Sequence, residues 1–448
     1  MKKRMQGLPV DAADGPSEAC PMRIPSLLFL LLSLTCTPPA LVAAQAAEVR
    51  VRGHDILVDG KTFVVKGAAG TKQLGLLAGL GANTIRTYGA DEAEVLDRAQ
   101  AAGLKVILGF WLEHPRRGVD YRDEKFVAAQ LAKLEQFVRQ HRNHPALLMW
   151  GIGNEVEAEL ADDAQVWPGI ERAAKLVKLL DPAHPTMAVL AEAGNNKVAK
   201  LKAQAPSIDV LGVNSYGDGL ISLPERVRQQ GWTGPWLVTE LGPRGQWQAA
   251  HTPWGAFIEP SSGEKAALLR RYLPQSLPGK APGKAPGKAS GHLVFYWGQK
   301  QEVTPTWHSL LLPDGGWSET AEAMAQIWGG KLPQGNRAPR IARFEFTHQP
   351  GSPWASWPRG QIARARLDVS DPDKDPFTLQ WTVLAESTDL RVAGDAEAVP
   401  PSYPQAIFGA GNDGVSIQGL HPGAYRLFLL VRDGRGAVAT ANLPFRVE

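Results

Sequence analysis

Two stretches, LLMWGIGNE at 147–155 and WLVTE at 236–240, decide the reading of this chain. Each is a nearly continuous apolar run that closes on a carboxylate, Glu155 in the first and Glu240 in the second. An apolar run without alternation is the mark of a strand buried on both faces, as in a parallel sheet covered by helices. A carboxylate directly after such a run is costly to place near a core unless it has a use or a partner.

Working outward, six further runs have the same character: 63–69 (FVVKGAA), 82–88 (ANTIRTY), 105–112 (KVILGFWL), 186–192 (TMAVLAE), 208–216 (IDVLGVNSY) and 292–299 (HLVFYWGQ). With 147–154 and 235–241 they make eight strand candidates. Amphipathic segments lie between them. In 123–142, Phe126, Val127, Leu131, Leu134, Phe137 and Val138 fall near a 3.6-residue period. Segments 91–102, 171–180, 265–276 and 318–328 are similar. Eight strand-then-helix units predict a (β/α)8 barrel over 47–335. A doubly wound open sheet is the rival, and Gly67-Ala68-Ala69-Gly70 lacks the G-x-G-x-x-G spacing expected of it. Residues 49–63, with an Asp59-Gly60 turn, predict a β-hairpin ahead of the barrel. A PGKA repeat at 278–289 reads as a surface insertion. From 336 to 448 the helical period gives way to short strand patterns, and Asp433-Gly434-Arg435-Gly436 supplies a hairpin turn. This predicts an immunoglobulin-like β-sandwich.

A barrel carries its chemistry where strands end at the C-terminal face. Glu155 and Glu240 are 85 positions apart, about three barrel units of ~31 residues, which puts both on one rim. Two facing carboxylates serve glycoside hydrolysis: one protonates the leaving oxygen, the other attacks the anomeric carbon or activates water. Two unrelated surface glutamates, or acids complementing helix N-termini, would show the same spacing. Spacing alone leaves both readings open. The segment GFWLEHP (109–115) puts Trp111, Glu113 and His114 at the same rim. His114 reads as a substrate contact or as an ordinary surface histidine.

The motifs in order add a resemblance. HRNHPALLMWGIGNEVE (141–157) resembles the fourth-strand motif of clan A glycoside hydrolases, in particular the family 2 barrels. WLVTELGP (236–243) is similar to the seventh-strand segment of that clan, GANTIRTYG (81–89) to its second, LGVNSYGD (211–218) to its sixth and VFYWGQK (294–300) to its eighth. The resemblance covers roughly 60–330. It implies that Glu155 is the acid/base and Glu240 the nucleophile. It further implies that Asn154 bonds the sugar 2-hydroxyl, that Arg86 and Tyr216 hold Glu240 ionised, and that Trp297 stacks beneath the sugar. The chain departs from family 2 in that only a hairpin precedes the barrel while the sandwich follows it. The IRTY run also resembles clan members acting on β-1,3-glucans, some of them transglycosylases.

The expected function is a retaining β-glycosidase that hydrolyses oligosaccharides or β-glucans by double displacement, without cofactor or metal. A β-glucan transglycosidase and an inactive glycan-binding protein are the alternatives. No G-x-S-x-G or H-E-x-x-H motif offers another chemistry. Asp371, Asp373 and Asp375 read as an acidic turn in preference to a calcium loop.

Composition bounds the partners. The 448 residues carry 48 basic and 45 acidic groups, no footprint for nucleic acid, and 14 tryptophans, which suit flat sugar rings. Residues 1–46 read as an export signal: a basic start, an apolar run from Leu27 to Leu34, and Ala44-Gln45-Ala46 as the cleavage site. Met22 is an alternative start, and an uncleaved anchor is the alternative fate. Both cysteines, Cys20 and Cys36, lie in this segment, so the mature chain is expected to have neither disulfides nor thiol chemistry. A periplasmic or secreted protein with a glycan substrate and no membrane span is expected.

Overall fold

A computed structural model of the chain describes residues 48–276, 288–392 and 394–448. The export signal, both cysteines and nearly all of the PGKA repeat lie outside the described residues.

The chain opens with a three-stranded meander, β1 (Val49–Arg52), β2 (Asp55–Val58) and β3 (Lys61–Thr62). The expected Asp59-Gly60 turn joins β2 to β3, with both residues at positive φ. An earlier turn at Gly53-His54, which the single hairpin omitted, joins β1 to β2. Val49 and Ile56 of this meander pack with Val65, Met187, Val210 and Leu237 of the following strands. It therefore plugs the end of the barrel opposite the active rim.

Eight parallel strands follow: β4 (Val65–Ala69), β5 (Thr84–Arg86), β6 (Lys105–Phe110), β7 (Leu147–Ile152), β8 (Thr186–Ala191), β9 (Val210–Asn214), β10 (Trp236–Leu241) and β11 (Gly291–Val294). They pair in sequence order, and β11 returns to β4, so the barrel closes. Each lies within or beside the run expected for it. β7, β9 and β10 are buried at every position, in keeping with their lack of alternation.

The helices are α1 (Leu74–Gly79), α2 (Val95–Ala101), α3 (Glu124–His141), α4 (Val166–Leu180), α5 (Lys197–Gln204), α6 (Gly219–Gln229), α7 (Ser262–Ser276) and α8 (Glu319–Trp328). Asp123 caps α3 by accepting from the amides of Lys125 and Phe126, and Val127, Leu134, Phe137 and Val138 form its buried stripe. The period did not reveal α1, α5 and α6. The first two are only six and eight residues long, and Pro224 interrupts the third.

Beyond the barrel, two sheets share one core. One comprises β12 (Trp317–Ser318), β14 (Ala355–Trp357), β16 (Thr378–Ala385), β19 (Gly423–Arg432) and β20 (Ala437–Val447). The other comprises β13 (Arg340–Phe346), β15 (Ala363–Ser370), β17 (Ile407–Gly411) and β18 (Gly414–Ile417). Phe346 and Val415 from one sheet meet Trp357, Leu427 and Phe445 from the other. β12 arises from the chain just before α8 yet pairs in parallel with β20. A buried polar seam continues the join. Arg426 reaches the Phe257 carbonyl, the Asn442 side chain and Glu386, while Asn442 donates to Glu259.

Candidate active site

The chain leaves β7 through Gly153, at φ +70°, where a Cβ would meet Val156 Cγ2 at 2.6 Å. Asn154 and Glu155 follow immediately. Glu155 itself sits in the left-handed region at φ 51°, a conformation that costs a non-glycine residue energy and gathers at functional sites. Across the rim, the pairing of β10 slips between Val238 and Glu240 against β9. Such an irregularity re-aims the side chains beside it, and here it turns Glu240 into the pocket.

Three donors meet the Glu240 carboxylate. Tyr216 OH donates to Oε2 at 2.9 Å, Tyr88 OH donates to Oε1 at 2.8 Å, and Arg86 Nη1 stands 3.3 Å from Oε1. Arg86 also donates through Nη2 to Asn154 Oδ1 at 2.6 Å, so one buried guanidinium braces both sides of the site. Asn214 Nδ2 donates to Glu155 Oε1 at 2.7 Å, and Thr239 Oγ1 donates to Asn214 Oδ1 at 2.8 Å, which fixes the amide's orientation.

The electrostatics separate the two carboxyls. Burial, then the charge of Glu240, pushes the Glu155 carboxyl up to about 8, against the opposing hydrogen bond from Asn214 and the charge of Arg86. Glu155 is thus a protonated acid at neutral pH. Burial and the charge of Glu240 hold the hydroxyls of Tyr88 and Tyr216 well above the usual phenol range, so both remain donors.

Both glutamates open into a cavity of about 570 Å³, within the span of small-molecule sites. Its aromatic lining comes from Tyr88, Trp111, Tyr216, Trp247, Phe295 and Tyr296, and Trp247 is 59% exposed. Glu302 lies on the same wall, held below the usual carboxylate range by His308 and Lys300 despite its burial.

Of the residues expected here, Glu155, Glu240, Asn154, Arg86 and Tyr216 converge. Arg86 lies behind the cavity wall, held on Asn154 and Glu240, and two others neither join this network nor line the cavity. Trp297 is fully buried, and its indole N–H donates to the Lys72 carbonyl at 2.7 Å. β11 ends at Val294, and the chain turns so that Phe295 and Tyr296 face the cavity while Trp297 enters the core. His114 is 1% exposed and stacks at 4.8 Å on Trp111, which does line the cavity. It supports the wall from behind. Burial and the charges of Arg116 and Arg117 depress its imidazole to about 4, so it is neutral there.

Tyr88 and Asn214 belong to the site without having been singled out. Tyr88 stands two positions after Arg86, the period that returns a strand residue to the same face. Asn214 closes the apolar run of β9, the same signal that marked Glu240. The acidic turn is taken up by arginines: Arg337 contacts Asp373 at 2.7 Å and Arg435 contacts Asp375 at 2.8 Å.

Comparison with known proteins gives a consistent picture. Residues 71–218 match the family model for the TIM barrel domain of glycosyl hydrolases family 2. A β-glucuronidase from Felis catus is 30% identical over 188 residues, covering 38% of this chain and 27% of that protein. A β-glucuronidase from Paenibacillus borealis is 28% identical over 194 residues, covering 38% and 31%. The matches thus span less than a third of the length of these relatives. Among solved structures, β-D-glucuronidase of Dictyoglomus thermophilum shares the fold with a TM-score of 0.50 at 21% identity, covering 64% of this chain and 54% of that one. A Bacteroides uniformis β-glucuronidase gives 0.50 at 14% identity, covering 89% and 48%.

Proposed function

From a barrel of the glycosyl hydrolase family 2 type, we propose that this protein is a retaining β-glycosidase acting by double displacement on oligosaccharides or β-glucans. The observation that carries the reading is the division of labour between two carboxyls in one cavity. Glu155 is protonated at neutral pH, while both oxygens of Glu240 are engaged by donors.

In the first step Glu240 Oε attacks the anomeric carbon. The bond to the leaving oxygen breaks as Glu155 gives that oxygen its proton, leaving a glycosyl ester on Glu240. In the second step Glu155, now a carboxylate, takes a proton from water. The water oxygen attacks the anomeric carbon, Glu240 departs and the original configuration is restored. Asn154, held by Arg86, is placed to bond a sugar hydroxyl beside the reacting carbon. Trp111, Trp247, Phe295 and Tyr296 offer ring faces to sugar C–H groups.

The relatives named above are β-glucuronidases, so a β-glucuronide joins β-glucans and neutral β-glycosides among the candidate substrates. We read the two C-terminal sheets as an immunoglobulin-like sandwich, and residues 1–46 as a signal for export to the periplasm or beyond.

The test is turnover of p-nitrophenyl β-D-glucuronide, glucoside, galactoside and mannoside by wild type and Glu240→Ala. Wild type is expected to hydrolyse at least one with retention, and Glu240→Ala to be inactive while folded. Added azide should rescue the variant as the α-glycosyl azide. Near-wild-type turnover by Glu240→Ala would overturn the assignment.

A further inference from the structure

One side of the cavity is not made by the barrel. Arg391, Val392 and Gly394 line it, and they belong to the connection that leaves β16 in the C-terminal sheets. Two tethers hold this segment on the barrel rim. Asp395 accepts from Arg116 through Nη1 at 2.7 Å and Nη2 at 3.1 Å, and also pairs with Arg117. Glu397 accepts the Val303 amide at 2.6 Å. Arg116 and Arg117 follow β6 and Val303 follows β11, so the segment is anchored to the loops of two strands that are not neighbours in the barrel.

The segment is also braced internally. Glu397 accepts the Arg391 amide at 3.1 Å, Asp389 accepts the Ala398 amide at 3.0 Å, and Asp389 meets Arg391 Nε at 2.5 Å. Gly394 packs so closely on Lys300 that a Cβ would lie 3.0 Å from Nζ. The Arg116 side chain is only 9% exposed, so the pairing with Asp395 is shielded more than a surface ion pair. The tether also touches the aromatic wall, because Arg117 lies over the Trp111 ring at 5.5 Å.

We propose that this segment of the C-terminal sheets is part of the substrate site, with Arg391 and Val392 as specificity-determining contacts to the sugar. Asp395 and Glu397 are the positioning residues that seat it. The chemistry fits a glycan: guanidinium N–H groups donate to ring hydroxyls, and the Val392 methyls meet a C–H face. The inference rests on the glycosidase reading, since it assigns contacts to that substrate. It makes the C-terminal sheets a component of the active site, where an accessory module would leave the site intact.

The experiment uses the full chain and whichever p-nitrophenyl β-glycoside of the four above wild type turns over best. Arg391→Ala and Asp395→Ala are each expected to raise KM at least fivefold with kcat within threefold, and Asp395→Glu to recover part of the loss. The order of preference among the four sugars should change in Arg391→Ala. The Arg391 side chain is 57% exposed, so this variant keeps the fold and answers even where Asp395→Ala does not express. KM within twofold of wild type in Arg391→Ala, with the sugar preference unchanged, would overturn the proposal and leave the glycosidase reading standing. Failure of wild type to turn over any glycoside would remove that reading, and the sugar contacts with it.

Discussion

Asn214 donates its side-chain amide to Glu155 at 2.7 Å, and the same nitrogen lies 3.2 Å from Asn154 Oδ1. The amide cannot flip without losing the hydrogen bond from Thr239 to its oxygen. One fixed donor therefore couples the acid to the residue beside it. Because this bond favours the ionised form of Glu155, its loss raises the carboxyl further. Asn214→Ala is expected to move the basic limb of kcat/KM to higher pH. Lost orientation of the acid should lower kcat ~10-fold or more. A pH–rate profile of both proteins checks this, and an unmoved basic limb would count against the coupling.

Glu155 also sets a pH dependence of stability. Its folded carboxyl titrates at about 8, whereas an unfolded glutamate titrates near ~4.3. Between these values the folded chain binds the extra proton, so this residue makes stability fall as pH rises. Glu155→Gln stays neutral and escapes that loss. Its melting temperature should exceed that of wild type at pH 9, with the difference shrinking towards pH 4. A difference independent of pH would show that Glu155 does not titrate as described.

Two tryptophans are expected to answer differently to truncation. Trp247 stands exposed on the cavity wall, and Trp247→Ala should raise KM ~10-fold through the lost ring contact, with little change in stability. Trp297 is buried, and Trp297→Ala should cost ~3–5 kcal/mol of stability. Urea unfolding beside Michaelis kinetics separates the two. A large KM effect with full stability in Trp297→Ala would return that residue to the sugar platform.

The seam between the barrel and the C-terminal sheets carries buried charge. Arg426 is 1% exposed and serves Glu386, Asn442 and the Phe257 carbonyl at once. Removing one partner of a buried ion pair strands the other, at ~3–5 kcal/mol. Arg426→Met should lose about that much in urea unfolding. It should also unfold barrel and sheets together, so fluorescence and circular dichroism transitions should coincide.

The barrel was legible because its strands are buried on both faces, and that condition writes itself into sequence as unbroken apolar runs. Glu155, Glu240 and Asn214 stand at the ends of such runs, and only the first two were marked as carboxylates out of place. Tyr88 resembles any strand tyrosine until the opposite wall is known, since its partner Glu240 arrives from five strands further along the chain. Trp297 misled because strand patterns do not say where a strand stops: β11 ends three residues earlier. The contribution of Arg391 was not legible at all. It depends on a sheet connection reaching back to a rim formed much earlier in the chain, and no local pattern records that return.

The short strand β12 has a consequence for synthesis. Trp317 and Ser318 pair with Ala437 and Val438, 120 positions further along. As the chain emerges, from the ribosome or from an export channel, the Trp317–Ser318 edge at the end of the barrel lacks its β20 partner until the intervening chain has followed. Domains usually complete themselves as they emerge; this one must wait. An exposed strand edge invites pairing with another chain, so the interval is a hazard that chaperones would be expected to cover. Chains stalled before β20 should partition into aggregates, whereas those released after it should not.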